Sequence, residues 1–325
     1  MDFQTQDSSP ILTDTVFRAA LKRAKMVPMS TLQGVIPAAL TPRRADSVLI
    51  DTSAALELIE FLESHGVDGI ALLGSTGEFP HFSSDDRIRF AEMAIRRARV
   101  PVLVNASHST LDGAVEIAQA AAAAGAAGVL LMPAYYYRYT QDSVRAFALE
   151  FAAQVDSPIY LYNIGQFTTE LKLETSLALL STGAFAGIKD SYGSWDDFLA
   201  LHKTGRAVFT GIDTMYGRVA RAGGAGTISG TASVLPELLV ALDRRARAGA
   251  DTAELETRVK EFLDRALSFP FPIAFREAAQ IRGLKMGPHA SPLGPGERTA
   301  MEEFRTWFAS WMREMPDFVR AQTVC

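Results

Sequence analysis

FAGIKDSYG, residues 185–193, is a short apolar run that ends on a lysine and turns polar at once. Phe185, Ala186, Gly187 and Ile188 read as a buried strand, and the glycine-containing polar residues behind Lys189 as the turn that leaves it. Lysine seldom sits in apolar surroundings, so Lys189 at the rim of such a strand calls for a reason. Burial disfavours the charged form of an amine, and a neutral amine attacks a carbonyl carbon to form a Schiff base. The plainer alternative is a lysine that lays its stem on apolar surface and pairs its head with Asp190.

Outward from this stretch the same unit recurs. Apolar runs stand at 34–40 (GVIPAAL), 67–73 (VDGIALL), 101–105 (PVLVN), 127–132 (AGVLLM), 158–162 (PIYLY), 185–189 (FAGIK), 207–211 (AVFTG) and 225–229 (AGTIS). Segments of helical spacing follow them at 51–65, 83–99, 110–124, 140–154, 172–182, 194–203, 213–222 and 236–248. Asp51 or Thr52 is placed to cap the first helix and Ser83 or Ser84 the second, while Gly66 and Gly125 are placed to stop the first and the third. Strict alternation of strand and helix implies parallel pairing through crossovers. Eight such units closing on themselves give an α/β fold, the (β/α)8 TIM barrel, here over residues 34–249. An open doubly wound sheet is the alternative. It favours a glycine-rich phosphate loop after the first strand, and LTPRRADS at 40–47 is not one.

Residues 250–325 break the rhythm and read as a C-terminal helical extension of three helices, 252–267, 273–283 and 297–314, parted by FPFP and GPHASPLGPGE. Phe304, Trp307, Phe308 and Trp311 make a broad aromatic face on the last of them, suited to a core or a subunit contact. Residues 1–33 form an N-terminal extension with one amphipathic helix over 11–27, whose basic face suits packing on the protein or on a neighbouring subunit better than a membrane surface.

Composition narrows the function. With 48% hydrophobic and 21% charged residues among 325, the chain has ample core for a soluble globular protein. A net charge of -5 leaves no footprint for nucleic acid. No apolar run reaches the ~20 residues of a membrane span, and MDFQTQDSSP at the start lacks the basic region of a secretory signal. The one cysteine, Cys325, excludes a disulfide within the chain, so a reducing, cytoplasmic compartment is expected. The histidines at 65, 81, 108, 202 and 289 form no HExxH or Cys/His cluster, and neither a metal nor another cofactor is expected.

In a barrel of this kind the site lies at the C-terminal ends of the strands. Strand two ends in Gly74-Ser75-Thr76-Gly77-Glu78, strand four in Pro133-Ala134-Tyr135-Tyr136-Tyr137, strand five in Tyr160-Leu161-Tyr162-Asn163 and strand six at Lys189. Strands seven and eight add Gly211-Ile212-Asp213 and Ser229-Gly230-Thr231. Hydroxyls, phenols and one amine suit a carbonyl substrate that bears a carboxylate. A glycine-flanked Ser-Thr turn holds a carboxylate with backbone N–H groups and two hydroxyls, although it is also an ordinary tight turn. A phenol near a Schiff-base lysine moves protons to and from the carbinolamine; a core tyrosine with a bonded hydroxyl is the other reading of Tyr162. Tyr135, Tyr136 and Tyr137 cannot all face inward, so a contact with a neighbouring subunit is expected.

Taken in order, GSTGE (74–78), PAYYY (133–137), YNI (162–164) and GIKDS (187–191), with 27 residues from Tyr162 to Lys189, resemble the dihydrodipicolinate synthase/N-acetylneuraminate lyase family of class I aldolases. The resemblance is close over 34 to about 250 and looser in the helical tail. It implies that Lys189 forms the imine with pyruvate or another 2-oxo acid and that Tyr162 is the catalytic tyrosine. It further implies that Ser75 and Thr76 bind the carboxylate and relay protons, and that Tyr136 completes the relay, across a dimer contact in the synthases. Gly77, Gly211, Asp213, Ser229 and Phe167 complete the expected substrate-binding set, and a homodimer or homotetramer is implied. The departures are specific. Gly165 stands where the family commonly has proline, Phe167 where the synthases carry an arginine for a second carboxylate, and Thr214 where the sialic-acid lyases carry a glutamate. The expectation is a Schiff-base-forming lyase that cleaves, condenses or dehydrates a 2-oxo acid. Its partner aldehyde is neutral at the Phe167 end, with Asp213 available to a hydroxyl and Arg138 as the alternative cation. Two alternatives stand beside it: 4-hydroxy-tetrahydrodipicolinate synthase, and a non-catalytic barrel that binds a 2-oxo acid.

Overall fold

The computed structural model describes residues 32–315. The helix expected over 11–27 and Cys325 lie outside the described residues. Eight parallel strands follow one another in the chain: β1 (Gly34–Pro37), β2 (Ile70–Leu72), β3 (Val102–Asn105), β4 (Gly128–Leu131), β5 (Ile159–Asn163), β6 (Gly187–Asp190), β7 (Ala207–Thr210) and β8 (Gly226–Ser229). They alternate with α1 (Thr52–Ser64), α2 (Ser84–Arg97), α3 (Leu111–Ala124), α4 (Gln141–Ala152), α5 (Leu173–Ser181), α6 (Trp195–His202), α7 (Tyr216–Arg221) and α8 (Pro236–Arg247). The sheet order is β1-β8-β7-β6-β5-β4-β3-β2. A parallel bridge between Ala38 and Ala71, with the Ala39 N–H donating to the Ala71 carbonyl at 2.9 Å, joins its two ends. The result is a closed (β/α)8 TIM barrel and not an open sheet.

Side-chain alternation along the strands divides the core into two shells. Ile36, Ala71, Leu103, Leu130, Tyr160, Phe209 and Ile228 fill the barrel interior. Val35, Leu72, Val104, Val129, Leu161, Ile188 and Val208 belong to the shell shared with the helices. Gly187 is fixed by the close approach of β7, since a Cβ there would stand 2.1 Å from the Ala207 carbonyl oxygen.

The helix ends follow their chemistry. Asp51 accepts from the Ala54 N–H at 3.0 Å and Ser83 from the Asp86 N–H at 3.1 Å, so each caps its helix. Gly125 ends α3 at φ +93°. Two boundaries move. β2 begins at Ile70 because Asp68 turns its carboxylate to the Val35 N–H, 2.8 Å away, and bends the chain before the strand. The helix after β7 begins at Tyr216, because Asp213–Met215 form a single tighter turn that carries the Asp213 carboxyl into the barrel rim.

The extension supplies α9 (Ala253–Ala266), α10 (Ile273–Ile281) and α11 (Pro295–Arg313). Phe304, Phe308 and Trp311 are buried within this layer; Phe308 stacks on Phe304 at 5.9 Å, and Phe262 meets Phe275 edge-on at 5.3 Å. The aromatic face of the last helix is therefore largely core, with Trp307 half-buried at its border. Leu263, Phe271 and Phe275 from the same layer reach the carboxyl-terminal mouth of the barrel.

Candidate active site

β5 and β6 pair with Tyr162 opposite Lys189. Cross-strand partners project to one face, so both side chains point into the barrel mouth. Lys189 is 4% exposed, and its Nζ lies 4.1 Å from the centre of the Tyr162 ring. The Tyr162 hydroxyl and Ser75 Oγ are 3.2 Å apart. Asp190 is the next residue along and faces the other way. Its Oδ1 accepts from the Tyr192 N–H at 3.1 Å, the Gly193 N–H at 2.9 Å and Asn163 Nδ2 at 3.0 Å. The pairing of Lys189 with Asp190 therefore does not form; the acid shapes the turn after β6.

A cavity of about 580 Å³ opens over the amine. Its floor and walls include Ser75, Thr76, Tyr162, Lys189, Gly211 and Asp213, and Phe271 and Phe275 overhang it. Gly211 leaves room for the lysine stem, since a Cβ there would lie 1.9 Å from Ser191 Oγ and 3.2 Å from Lys189 Cε. Ser191, the last residue of GIKDS, is thus a wall residue too, a place that a serine in a turn does not reveal by itself.

Asp213 is buried in the cavity wall, where it accepts from the Thr231 N–H at 3.3 Å and the Thr227 hydroxyl at 3.5 Å. Burial raises its pKa above the ordinary 3.8, against the hydroxyls of Thr231 and Ser229 and the charge of Lys189, which favour the carboxylate. A carboxyl that holds its proton more tightly folded than unfolded stabilises the fold at low pH. That contribution is lost as pH rises through the folded value. Asp213→Asn cannot ionise. Denaturation curves for both proteins between about pH 4 and about pH 8 are therefore expected to show the unaltered protein losing ground to the variant as pH rises.

The remaining expected residues sit elsewhere. Ser229 is buried and its Oγ accepts from the Ala232 N–H at 2.9 Å, outside the cavity lining. Gly77 packs its backbone on the segment just after β1, where a Cβ would meet the Ala39 carbonyl oxygen at 2.9 Å. Tyr136 is 85% exposed at φ +82°, a strained value for a tyrosine, and meets Tyr137 edge-on at 4.9 Å. Tyr135 is the tyrosine that turns inward, 5.4 Å from Phe79. Phe167 lines a second, side cavity together with Tyr135 and Phe271, and does not line the cavity over Lys189. Arg138 does not replace the missing arginine: its Nη1 donates to the Gly165 carbonyl at 3.1 Å, and it lines neither cavity. Gly165 itself is covered by the Tyr192 ring, which a Cβ would approach to 2.8 Å.

One buried network beside the site was not read from the sequence. Glu78, at φ +53°, accepts through Oε2 from Arg43 Nη1 at 3.0 Å and Arg276 Nη1 at 2.9 Å. Both guanidinium groups are fully buried, and burial pulls the Arg276 pKa down to about 10. Arg276 also donates to the carbonyls of Thr41 at 2.9 Å, Pro288 at 3.2 Å and Met286, and so fastens α10 to the barrel. Among the described residues no group of three or more His, Cys, Asp or Glu is placed to hold a metal, and no helix is long and apolar enough to cross a membrane.

The barrel, with its buried lysine at the end of the sixth strand under a cavity at the carboxyl-terminal mouth, is a lyase of the class I aldolase type by the family to which the chain belongs. The chain belongs to the dihydrodipicolinate synthetase family, whose model matches residues 31–309. It is 31% identical over 272 residues to the 4-hydroxy-tetrahydrodipicolinate synthase of Azoarcus sp. (strain BH72), which covers 81% of this chain and 93% of that one. Against the probable 2-dehydro-3-deoxy-D-pentonate aldolase YjhH of Escherichia coli (strain K12) the identity is 32% over 278 residues, with 81% and 92% covered. The crystal structure of YagE, a prophage protein of the dihydrodipicolinic acid synthase family from E. coli K12 in complex with pyruvate, matches with a TM-score of 0.80 at 26% identity. The match spans 87% of this chain and 99% of that one.

Proposed function

We propose that the protein is a Schiff-base-forming lyase that joins pyruvate, or a related 2-oxo acid, to an aldehyde, or runs that reaction backwards. The observation that carries the reading is the in-register pair of Lys189 and Tyr162 beneath one cavity, with the tyrosine hydroxyl 3.2 Å from Ser75 Oγ. Lys189 Nζ attacks the 2-oxo carbon. The hydroxyl of the carbinolamine leaves as water with a proton delivered through Tyr162, and the imine remains. Ser75 and Thr76 hold the substrate carboxylate. Loss of a C3 proton gives the enamine, and C3 attacks the aldehyde carbon. The carbonyl electron pair moves to oxygen, which takes up a proton. Water then releases the 4-hydroxy-2-oxo acid and restores the amine.

The relatives include a 4-hydroxy-tetrahydrodipicolinate synthase and a probable sugar-acid aldolase. Phe167 in place of the arginine, with Arg138 held by Gly165, supports the aldolase side, because a second carboxylate would lose its water without gaining a cation. Borohydride added to the protein with pyruvate should fix one pyruvate-derived group per chain, read by intact mass. A protein that stays unlabelled is not an imine-forming enzyme.

The functional unit we propose is a homo-oligomer. Tyr136 and Tyr137, 85% and 67% exposed, present aromatic area to solvent at the rim of the site. Sedimentation at micromolar concentration is expected to show a dimer or tetramer, and a Tyr136→Ala, Tyr137→Ala double variant is expected to shift the boundary toward monomer. A monomer in the unaltered protein would remove this contact from the scheme.

A further inference from the structure

The turn that carries Ser75 and Thr76 is gripped from behind by a helix of the C-terminal layer. We propose that Arg276 of α10 is a positioning residue, which acts through Glu78 to fix the two hydroxyls and so sets the affinity for the carboxylate of the 2-oxo acid. The inference rests on the imine-forming reading above and adds what holds the carboxylate turn in place.

The turn needs holding. The Glu78 N–H donates to the Ser75 carbonyl at 3.0 Å and closes it. Leu73 and Glu78, which flank Gly74–Gly77 on either side, lie at φ +58° and +53°, in the left-handed region that residues other than glycine enter at a cost. Strain of this kind persists only where the surroundings forbid relaxation. On the barrel side the surroundings are the segment after β1: a Cβ on Gly77 would stand 2.9 Å from the Ala39 carbonyl oxygen and 3.0 Å from Thr41 Oγ1.

On the other side they are α10. Arg276 Nη1 donates to Glu78 Oε2 and to the Thr41 carbonyl, both at 2.9 Å. One nitrogen therefore ties the last residue of the turn to the segment on which the turn packs. Nη2 of the same guanidinium donates to the carbonyls of Met286 and Pro288, so the planar fork is fixed at both ends and cannot follow Glu78 if the turn shifts. The preceding residue brackets the turn from a second direction. Gly230 lies between the Phe275 ring and Thr76, since a Cβ there would stand 3.5 Å from Phe275 Cε1 and 3.1 Å from Thr76 Oγ1. The Arg276 side chain is fully buried and does not line the cavity over Lys189, so it offers no charge to the substrate. Any effect it has on the carboxylate passes through the turn.

The test is borohydride trapping over a range of pyruvate concentrations, which reads the half-saturating concentration and the plateau rate separately. Arg276→Met leaves Glu78 its Arg43 partner. It is expected to raise the half-saturating concentration about tenfold or more and to keep the plateau within about twofold, because misplaced hydroxyls weaken the hold on the carboxylate while the amine is untouched. Arg276→Lys gives Glu78 a single donor and cannot span the carbonyls at once, so its half-saturation is expected to fall between the two. Phe304→Ala controls for a general loosening of the helical layer. Its ring packs among Phe269, Trp307 and Phe308, and the change is expected to destabilise the protein with half-saturation unaltered. Half-saturation unchanged in the Arg276 variants, or a plateau that falls without it, overturns the inference alone. So does an equal rise in Phe304→Ala. Should Arg276→Met fail to fold, Arg276→Lys decides, and an unchanged half-saturation there overturns the inference. Absence of trapping in the unaltered protein overturns the imine reading and this inference with it.

Discussion

Lys189→Ala is expected to abolish borohydride-dependent addition from pyruvate and to lower turnover by roughly 10³-fold or more, with the fold intact. The size of the loss follows from what is removed. Without the amine no covalent electron sink forms, and the C3 proton of pyruvate must be taken from a free ketone. The hydroxyls of Ser75 and Tyr162 offer hydrogen bonds and proton transfer but no covalent electron sink, so they cannot replace the imine. Lys189→Arg keeps the charge, but its guanidinium does not attack carbonyls, and the same loss is expected. The fold should survive either change, because the Lys189 side chain borders an open cavity and joins no ion pair with its neighbour Asp190. Unfolding curves near those of the unaltered protein, with trapping gone, are the expected pair of results. Full labelling of Lys189→Ala would move the nucleophile elsewhere.

The part of the site that could be read beforehand is the part fixed by strand periodicity. Lys189 and Tyr162 each close an apolar run, and parallel strands in register bring such ends together whatever the loops do. Ser75, Thr76, Gly211 and Asp213 follow by the same reasoning, since they directly succeed strands. Past the strand ends the argument weakens. Ser229 also closes a strand, yet its hydroxyl stands behind Asp213 and accepts from the Ala232 N–H without lining the cavity, a local choice that composition does not reveal. Phe167 lies five residues beyond Tyr162, and that count locates the loop but not which of two adjoining cavities the ring enters. Its place depends on Gly165 under Tyr192 and on Phe271 from the far end of the chain. Phe271 stands in the FPFP break between two helices of the extension, and Phe275 lies in the first turn of the second. The aromatic content of that break was visible, but its contact with the barrel mouth depends on docking over a separation that no periodicity reports.

The least legible feature is the Arg43–Glu78–Arg276 cluster, whose members are 35 and 198 residues apart. Charged residues are ordinarily exposed, and nothing local distinguishes these three. Glu78→Gln is expected to destabilise the protein by about 3–5 kcal/mol, because it leaves two fully buried guanidinium groups facing each other with the countercharge gone. Arg276→Met should cost less. Glu78 then keeps Arg43 as a one-to-one partner, and the loss is mainly of the donors to the carbonyls of Thr41, Met286 and Pro288. The double variant decides whether charge or packing dominates. If repulsion between the two arginines drives the Glu78→Gln loss, adding Arg276→Met relieves it, and the pair costs less than the sum of the single changes. Strict additivity would mean that the cluster acts only as a set of separate hydrogen bonds. The measurement is chemical denaturation of all four proteins at one fixed protomer concentration, since assembly makes apparent stability depend on it. A Glu78→Gln effect below about 1 kcal/mol would show that the helical layer is held to the barrel by its apolar contacts alone.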